Sequence, residues 1–404
     1  MERKLASVRI IKEIRPIKGA DLIELAIIDG WQCVTKKGEF VAGDLGIYFE
    51  IDSFLPIEPE FEFLEKSSKR KMGELVGLRL KTIKLRGELS QGLVLPYKAV
   101  ERFFIDNDNG QTFELGADVT DTLGVVKYDP PIPAELSGET KGNFPSFIKK
   151  TDQERIQNVF DIYSPEFLAN NNEDIIEQLK LQGDKYIDRI KELENEPRIV
   201  NPIRKLEFEE TLKLDGTSCT FYIGNVEKLD IKRTDDMDII NGIYFGHCSR
   251  NLESKERDNT PWKIAYDLDI KTGMHKFAVD TGRNVALQGE LMGPGIQKNR
   301  EKLQKTDFYL FDIWDIDKRR YCTPEERIEI LEYIPQCKEV PLLNKNIKIF
   351  EVCNTIEEFM KYAKGKSITH AIREGIVFKS TTVINGETIS FKAINNDFLL
   401  KGGE

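Results

Sequence analysis

Lys213 is the side chain of this sequence whose surroundings suggest chemistry most directly. It lies between two leucines in the run EETLKLDGTS (residues 209–218), and Asp215 and Gly216 follow the second leucine. Burying an ammonium group among apolar side chains costs several kcal/mol unless a partner compensates for it. Because such burial lowers the pKa of a lysine, it is one way in which a protein makes an amine nucleophilic. Lys213 is therefore the candidate nucleophile, and the alternative is an exposed strand lysine before an Asp-Gly turn.

The composition limits this chemistry to lysine and carboxylate side chains. Only three histidines occur, His247, His275 and His370. The six cysteines are scattered without a C-x-x-C pair, which fits neither a zinc site nor a disulfide framework. We expect free thiols in a reducing compartment, so the predicted location is cytoplasmic, inside the cell.

Length and charge define the broad class of protein. The 404 residues suffice for two or three domains, and 40% hydrophobic with 32% charged residues is typical of a globular protein. The net charge of −10 argues against a surface that is basic throughout, but it allows a local basic groove. No apolar run is long enough to span a membrane, and the start MERKLASVRI is not a signal peptide. We expect a monomer without a membrane partner.

The sequence of residues 1–125 predicts an N-terminal domain of β-strands. Alternating segments such as SVRIIKEI and LGIYFEID are separated by Gly-Asp, Asp-Gly and Pro turn signals. About five strands without a long helix indicate a small β-barrel of the oligonucleotide-binding (OB) type. Between Lys66 and Arg86 lie eight Lys or Arg residues and one acid, Glu74. This basic run is either a solvated face or a track for phosphates.

A second domain is predicted at residues 146–404, after a linker at residues 126–145. The linker contains YDPPIP (128–133), whose prolines cannot continue a helix or a central strand. A helix is predicted at 151–163, opened by a Thr-Asp pair, and a charged helical insertion at 173–195.

From about residue 206 onward strands and helices mix, so the predicted fold class is α+β. We predict a pair of strands around Lys213 and residues 220–223. Further strands are predicted at 285–291, 307–314, 375–380 and 388–392, and helices near 261–280, 324–334 and 355–364. These elements must bring distant polar side chains to Lys213.

Several downstream segments carry candidate partners for Lys213. In chain order they are CSRN with Arg250, LQGELMGPG with Glu290, DFYLFDIWD with Phe311, REGIVFKS with Glu374 and Lys379, and ISFKAIN with Lys392. Each has a plainer interpretation: the acids as solvated strand ends, the phenylalanine as a core aromatic and the arginine as a surface residue.

This ordered set resembles the nucleotidyltransferase motifs of ATP-dependent RNA ligases, in which the lysine of a Lys-x-Asp-Gly motif is the nucleophile. The run ELMGPGIQ is similar to the branch of these ligases that acts on double strands. Three further segments resemble the Deinococcus-type nick-sealing RNA ligases: YFEIDSFLP, RLKTIKLRGELSQGL and FPSFIKKTDQERIQN. The likeness covers nearly the whole chain except the insertion at 173–195. It implies an OB-like domain followed by a mixed α/β, ATP-grasp-like nucleotidyltransferase domain.

The resemblance gives each candidate a role. Lys213 would attack the α-phosphate of ATP to form lysyl-AMP, and nearby cations with desolvation would keep its amine neutral. Asp215, Glu290 and Glu374 would converge on Mg²⁺ (or Mn²⁺) through the waters that the ion retains. The implied nucleotide-binding residues are Lys213, Arg250, Glu290, Phe311, Lys379 and Lys392. Among them, the phenylalanine would stack on adenine, the arginine would hold the ribose or the acceptor end, and the two distal lysines would contact the α-phosphate.

The implied activity is ATP-dependent joining of 5′-phosphate and 3′-hydroxyl ends. The substrate would be a nicked duplex with RNA or RNA/DNA ends and an RNA 3′-OH strand, and a role in RNA repair follows only by analogy. Ser390 stands where these ligases often have the first lysine of a closing Lys-x-Lys pair, so Lys379 is the candidate to share the duties of Lys392. Two alternatives stay open: a GTP-dependent mRNA-capping-type guanylyltransferase, which normally has a further C-terminal OB domain, and a non-catalytic RNA-binding protein.

Overall fold

The structure, a computed structural model, describes residues 4–106, 114–129, 140–151, 153–163, 202–234, 237–384 and 386–401, together with residues 187 and 191. The chain divides into two compact units. The first comprises residues 1–133 and 396–404, and the second comprises residues 134–395. Apart from residues 187 and 191, the predicted insertion at 173–195 lies outside the described residues, as does the proline-rich part of the predicted linker at 130–139.

Short strands build the first unit, as the alternating segments predict. Its helices are α1 (Glu65–Ser68) and α2 (Glu101–Asp106), with 3₁₀ turns at Pro59–Leu64 and Tyr97–Ala99. Its strands are β1 (Ala6–Ile10), β2 (Glu13–Pro16), β3 (Ile23–Ile28), β4 (Trp31–Lys36), β5 (Leu45–Phe49), β6 (Ser53–Leu55), β7 (Lys69–Met72), β8 (Leu75–Arg79), β9 (Thr82–Leu85), β10 (Glu88–Gln91), β11 (Leu93–Leu95) and β12 (Val126–Lys127).

These strands form small antiparallel sheets that enclose two apolar clusters. The sheets have the orders β1-β5-β11, β2-β3-β4, β10-β9 and β12-β6-β8-β7. β5 is buried on both faces. Ile47 and Phe49 pack with Leu55, Phe61 and Leu78 in one apolar cluster, whereas Tyr48 packs with Ile28 and Trp31 in a second.

The second unit combines longer strands with helices. Its strands are β13 (Thr140–Asn143), β14 (Glu154–Arg155), β15 (Phe208–Lys213), β16 (Thr217–Asn225), β17 (Ile239–Ile240), β18 (Ile243–Cys248), β19 (Leu252–Ser254), β20 (Val285–Met292), β21 (Asp307–Asp315), β22 (Arg320–Tyr321), β23 (Lys338–Glu339), β24 (Leu342–Ile347), β25 (Gly375–Ile384) and β26 (Glu387–Ile394). Its helices are α3 (Ile156–Tyr163), α4 (Thr260–Asp267), α5 (Ile270–Thr281), α6 (Pro324–Leu331), α7 (Ile349–Val352) and α8 (Ile356–Tyr362), with a 3₁₀ turn at Pro202–Lys205. The last helix of the chain, α9 (Asn396–Leu400), belongs to the first unit.

Two sheets organise the second unit. A nine-stranded sheet runs β13-β19-β18-β16-β20-β21-β22, with β17 on β18 and β23 on β21. A five-stranded sheet runs β14-β26-β25-β15-β24. The prediction that the strands around Lys213 and residues 220–223 pair with each other is therefore wrong. β15 and β16 are consecutive in sequence but lie in different sheets, because the chain crosses between them at residues 214–216.

Each sheet has its own apolar core. One face of the nine-stranded sheet packs Phe221, Leu287 and Phe308 against Trp262 of α4 and Phe277 of α5. On the five-stranded sheet, the buried rings of Phe208, Phe378 and Phe391 pack against Phe350 of α7 and Phe359 of α8.

Two of the predicted helices differ from the observed ones. The helix predicted at 151–163 begins only at Ile156, because Glu154 and Arg155 form a parallel strand beside β26. The helix predicted at 261–280 is divided into α4 and α5 by Asp269, whose left-handed φ of 52° cannot continue a right-handed helix. The helices near 324–334 and 355–364 are confirmed as α6 and α8.

No helix in the described part of the chain combines the length and the apolar character needed to cross a membrane.

We predict that Phe391→Ala lowers the free energy of unfolding of the second unit by about 3–5 kcal/mol, the usual cost of removing a buried aromatic ring. Phe391 is fully buried, and its ring centroid lies 5.2 Å from that of Phe378 and 5.6 Å from that of Phe208. Denaturant unfolding followed by tryptophan fluorescence measures the change. The control Val279→Ala, at a side chain that is 54% exposed, should change stability by no more than about 0.5 kcal/mol. Equal effects of the two substitutions would contradict this core.

Candidate functional site

The pairing of β15 with β25 brings Glu374 next to Lys213. Lys213 is the last residue of β15 and lies opposite Gly375, the first residue of β25. The Lys213 Nζ atom is 2.6 Å from Oε1 of Glu374. The two leucines on either side of the lysine are almost fully buried, whereas its side chain is 27% exposed. The side chain of Lys213 therefore keeps part of its surface exposed, at the end of a strand whose neighbouring residues are fixed by packing.

The Asp-Gly pair after Lys213 turns the chain toward the nine-stranded sheet. At Gly216 the backbone passes so close to β20 that a Cβ atom would lie 2.3 Å from the Leu291 carbonyl oxygen. The Gly216 amide donates a hydrogen bond of 3.0 Å to Oε1 of Glu290. A glycine is required here for space, and the close approach allows one turn to position two acids, Asp215 and Glu290.

Glu290 lies on β20 directly opposite Ser218 of β16. Burial raises the pKa of its carboxyl group to about 7, with a further contribution from the charge of Glu374, while Lys213 opposes the shift. A carboxylate held in this way binds a cation readily, because a positive charge removes the electrostatic cost of its ionised form.

Asp215 forms an ion pair with Arg300, whose Nε atom is 3.1 Å from its Oδ2. Burial and the charge of Glu374 raise the pKa of Asp215, and Arg300 and Lys213 partly offset this. Oε2 of Glu374 is buried and has no hydrogen-bond partner among the described residues. A buried carboxylate oxygen without a donor is a place where a cation or an ordered water fits.

The pKa of Lys213 differs in direction from our expectation. Burial by itself lowers it, but the charges of Glu374, Glu290 and Asp215 together raise it above its ordinary value. The prediction that nearby cations keep the amine neutral is therefore wrong for the protein's own side chains, because its immediate neighbours are acids. A cation that shifts this balance has to come with the substrate.

The donor set fits a hard divalent cation. Three carboxylates around one lysine supply only oxygen ligands, which Mg²⁺ and Mn²⁺ prefer. Within the described ranges, no group of three or more His, Cys, Asp or Glu side chains is arranged to hold a metal ion by itself. Water molecules would therefore complete the coordination, in agreement with the reluctance of Mg²⁺ to lose its waters.

Phe311 lies at a β-bulge beside this site. In the pairing of β20 with β21, Gln288 faces Asp312 and Gly289 faces Leu310, so that Phe311 is the extra residue. Such a bulge redirects a side chain. The half-buried ring of Phe311 packs against a small cluster that contains Leu212 and Leu214, the two neighbours of Lys213.

Lys379 links the two sheets at the same point. Its ammonium group lies 2.9 Å from Oδ2 of Asp312 and donates to the carbonyl oxygen of Phe311. Burial lowers its pKa, and the charge of Asp312 opposes that shift. In this structure Lys379 thus fixes the segment that carries Phe311, and its contact with a phosphate stays a prediction.

The other predicted residues occupy neighbouring strands and turns. Lys392 lies on β26, between Val377 of β25 and Arg155 of β14. Ser390, two residues earlier, lies opposite Lys379. Arg250 is exposed in the turn between β18 and β19. The structure thus brings Lys213, Asp215, Glu290 and Glu374 into one cluster, with Phe311 packed against the neighbours of Lys213.

Two residues at this site were missed from the sequence, Arg300 and Glu301. Arg300 binds Asp215, as described above. The buried carboxylate of Glu301 accepts hydrogen bonds from the backbone amides of Thr369 (2.6 Å) and His370 (3.1 Å), in the loop that leads to Glu374. Burial acts to raise the pKa of Glu301, but hydrogen bonds from this loop hold it below its usual value. The only sequence signal was their closeness to the glycine-rich run ELMGPGIQ.

We predict that Gly216→Ala lowers the free energy of unfolding by about 1–3 kcal/mol, because the added methyl group overpacks the contact with Leu291 and breaks the hydrogen bond to Glu290. Gly142→Ala is the control, since a Cβ atom at Gly142 would meet nothing within 4 Å. Thermal unfolding of both variants measures the difference. A Gly216→Ala variant as stable as the control would show that this close approach is not required.

Comparisons with known proteins agree with this geometry. A family model for RNA ligase matches residues 206–394, and a family model for an OB-fold domain matches residues 5–97. No curated protein matches the chain.

Solved structures of the Naegleria gruberi RNA ligase are similar over the full length. A variant with AMP and Mn is 38% identical, with 99% of each chain covered and a TM-score of 0.66. The same values hold for the structure of that ligase with pyrophosphate. A variant with ATP and Mn is also 38% identical, with 98% of this chain and 99% of that chain covered and a TM-score of 0.66.

These likenesses decide against the guanylyltransferase and the non-catalytic RNA-binding protein. They also confirm the predicted order of an OB-fold domain followed by a ligase domain. The chain belongs to the RNA ligase family and is an ATP-dependent RNA ligase that uses a divalent metal.

Proposed function

We propose that this ligase seals nicks in duplexes whose 3′-hydroxyl strand is RNA, through a lysyl-AMP and an adenylylated RNA end. One observation carries the proposed chemistry: the amine of a strand-terminal lysine with a partly exposed side chain lies 2.6 Å from one carboxylate and is influenced by two more. Such a cluster can hold a nucleotide triphosphate through a cation while presenting a nucleophile to it.

In the first step, Lys213 Nζ attacks the α-phosphorus of ATP. A P–N bond forms, the bond to the bridging oxygen breaks, and pyrophosphate leaves. The ammonium group has to lose a proton beforehand, and its short ion pair with Glu374 stabilises the protonated form. A bound divalent cation would neutralise charge on the phosphates and on the carboxylates, which lowers the pKa of the amine.

The neighbouring residues would orient the nucleotide. Phe311, redirected by its bulge, would stack on adenine, and Lys379 would hold it there through the Phe311 carbonyl. Lys392 would contact the α-phosphate from β26, and Arg250 would hold the ribose or the acceptor end. Asp215, Glu290 and Glu374 would hold the cation through water.

The next two steps would transfer AMP to RNA and then release it. A 5′-phosphate oxygen attacks the lysyl-AMP, the P–N bond breaks, and a 5′–5′ anhydride forms. The 3′-hydroxyl oxygen then attacks the 5′-phosphate, and AMP leaves. Lys213 is the covalent carrier in the first two steps and is not bonded to the substrate in the third.

The first unit supports RNA as the substrate. Its β7–β8 and β9–β10 hairpins carry exposed cations together with the exposed apolar side chains Leu75, Val76 and Ile83. The exposed cations are Lys69, Arg70, Lys71, Lys81, Lys84 and Arg86. Positive charge interleaved with apolar side chains suits a nucleic-acid backbone and its bases.

We also propose a cytoplasmic, intracellular location. All six cysteines are free, and five of them are buried. Proteins of oxidising compartments commonly pair their cysteines in disulfides, whereas in a reducing compartment buried free cysteines act as small apolar residues. That the protein is a monomer stays a prediction.

We predict that Lys213→Ala abolishes labelling of the protein by α-labelled ATP with Mg²⁺, while wild-type protein is labelled by ATP and not by GTP. Denaturing electrophoresis measures the covalent label. The same variant should still seal a nick that is already adenylylated, because the third step does not use the amine. The control Lys276→Ala, at an exposed lysine of α5, should be labelled normally. Label on Lys213→Ala would place the nucleophile elsewhere.

We predict that replacing the ribose at the 3′-hydroxyl end of a nick by deoxyribose slows sealing about tenfold or more, because a site built to bind a 2′-hydroxyl loses that hydrogen bond. Rates on otherwise identical nicked duplexes measure the difference. Equal rates would remove the RNA requirement for the 3′ strand. Sealing of single-stranded ends as fast as of nicks would remove the preference for a duplex.

A further inference from the structure

The second unit contains a cavity that the adenylylation chemistry does not use. Its volume is about 1010 Å³, and the buried rings of Tyr222 and Trp314 line it together with the half-buried ring of Phe147. Four cationic side chains also line it: Lys141, Lys149, Lys232 and Arg319. An aromatic lining beside several cations is the combination by which proteins bind single nucleic-acid strands.

The cavity lies on the same face of the nine-stranded sheet as Glu290. Side chains two residues apart on a strand share a face, so Ala286 and Glu290 of β20 point the same way. Ala286 faces Tyr222 on one neighbouring strand and Trp314 on the other. At about 3.3 Å per residue, four residues separate the aromatic lining from Glu290 by roughly 13 Å. A strand with its end at Lys213 can therefore reach the cavity.

The loop that carries Phe147 is held in place by the sheet. The Trp314 indole donates a hydrogen bond of 3.0 Å to the Phe147 carbonyl oxygen, and the Gln288 amide donates one of 2.7 Å to the Lys149 carbonyl oxygen. The ring of Phe147 meets that of Tyr222 edge to face, with the centroids 5.6 Å apart. Phe147 and Lys149 are thus presented by a rigid loop, which reduces the entropic cost of binding a flexible strand.

Three of the four cations around the cavity have no ion-pair partner in the part of the chain that the structure describes. Lys149, Lys232 and Arg319 are exposed, and none of them forms an ion pair with any residue that the structure describes. On a chain with a net charge of −10, this local excess of positive charge favours an anionic ligand.

Three acids also line the cavity, and they argue against a simple inorganic anion. Glu253 is engaged by the Tyr222 hydroxyl, which donates a hydrogen bond of 2.7 Å to its Oε1. Asp230 and Glu387 are exposed. Carboxylates are suited to accept hydrogen bonds from the amino groups of nucleobases. The ligand that matches both signs of charge has an anionic backbone and polar, planar bases.

We propose that this cavity binds the RNA substrate beside the junction that is sealed. One nucleotide next to the nick leaves the duplex, its base stacks on Phe147, and the adjoining phosphates are bound by Lys149 and Arg319. The proposal rests on the proposed function, because it takes the substrate to be RNA. It adds a second point of attachment on the ligase domain itself.

The first test measures binding of a labelled nicked RNA duplex to the full chain by fluorescence anisotropy over a range of salt. The double variant Lys149→Ala/Arg319→Ala should bind about tenfold more weakly, and its slope of log K against log salt should be smaller in magnitude by about 1.5, for two lost phosphate contacts. Lys276→Ala, on the opposite side of the same sheet, is the control. An unchanged slope would overturn the phosphate contacts.

The second test isolates the stacked base. Phe147→Ala and Phe147→Leu should each weaken binding about tenfold, whereas Phe147→Tyr should not. A set of substrates, each with one abasic nucleotide at a different position of either strand, locates the stacked base. At one position the missing base should weaken binding to wild-type protein about tenfold. At that same position it should not weaken binding to Phe147→Leu any further. Additive losses at every position would overturn the proposal. Thermal unfolding of each variant separates binding from misfolding.

Labelling of the variants by α-labelled ATP distinguishes this proposal from the proposed function. The cavity variants should be adenylylated at the wild-type rate. If Phe147→Leu loses adenylylation and RNA binding is unchanged, the cavity serves the nucleotide, and the proposal fails. If wild-type protein is not adenylylated at all, the proposed function fails, while the binding experiments still decide whether the cavity holds RNA.

Discussion

The close approach of Gly216 to β20 is the constraint on which the site depends. The chain leaves the five-stranded sheet after Lys213 and enters the nine-stranded sheet at Thr217, so only three residues separate two sheets with separate cores. One hydrogen bond, from the Gly216 amide to Glu290, fixes this crossing to the neighbouring strand. Lys213 on one sheet and Glu290 on the other are thereby held in a constant relation, although they are 77 positions apart in the sequence.

The cluster around Lys213 brings several like charges close together. Three acids share one amine, so one of them has a pKa near 7 and the negative charges repel one another. Sites of this kind reduce the stability of the free protein, and a bound cation removes the repulsion. The backbone hydrogen bonds from Thr369 and His370 to Glu301 hold the loop that leads to Glu374 in place despite this repulsion. The tightly packed aromatic core behind the five-stranded sheet supports the strand that carries Lys213.

The sequence predicted which segments form strands and helices better than it predicted which strands pair with one another. Strands such as β20 and β25 and capped helices such as α6 follow from local periodicity and end signals, which neighbours in sequence determine. The strand pair at Lys213 was wrong because periodicity shows that a segment is a strand but not which sheet it joins. The break at Asp269 carries no proline or glycine signal. The ordered motifs identified the acids around Lys213, since short motifs keep their spacing, whereas Arg300 and Glu301 act only through contacts made by a folded loop.

The position of α9 has a consequence for the order of assembly during synthesis. This helix follows β26 directly, yet it belongs to the first unit, where Gln91 of β10 donates to the side chain of Asn396 and Lys84 of β9 donates to the carbonyl of Leu400. The N-terminal unit therefore lacks part of its own structure until every residue of the ligase domain has left the ribosome. Although it is translated first, it is completed last, so the basic β9–β10 hairpin acquires its helical support only on a chain that already carries its catalytic machinery.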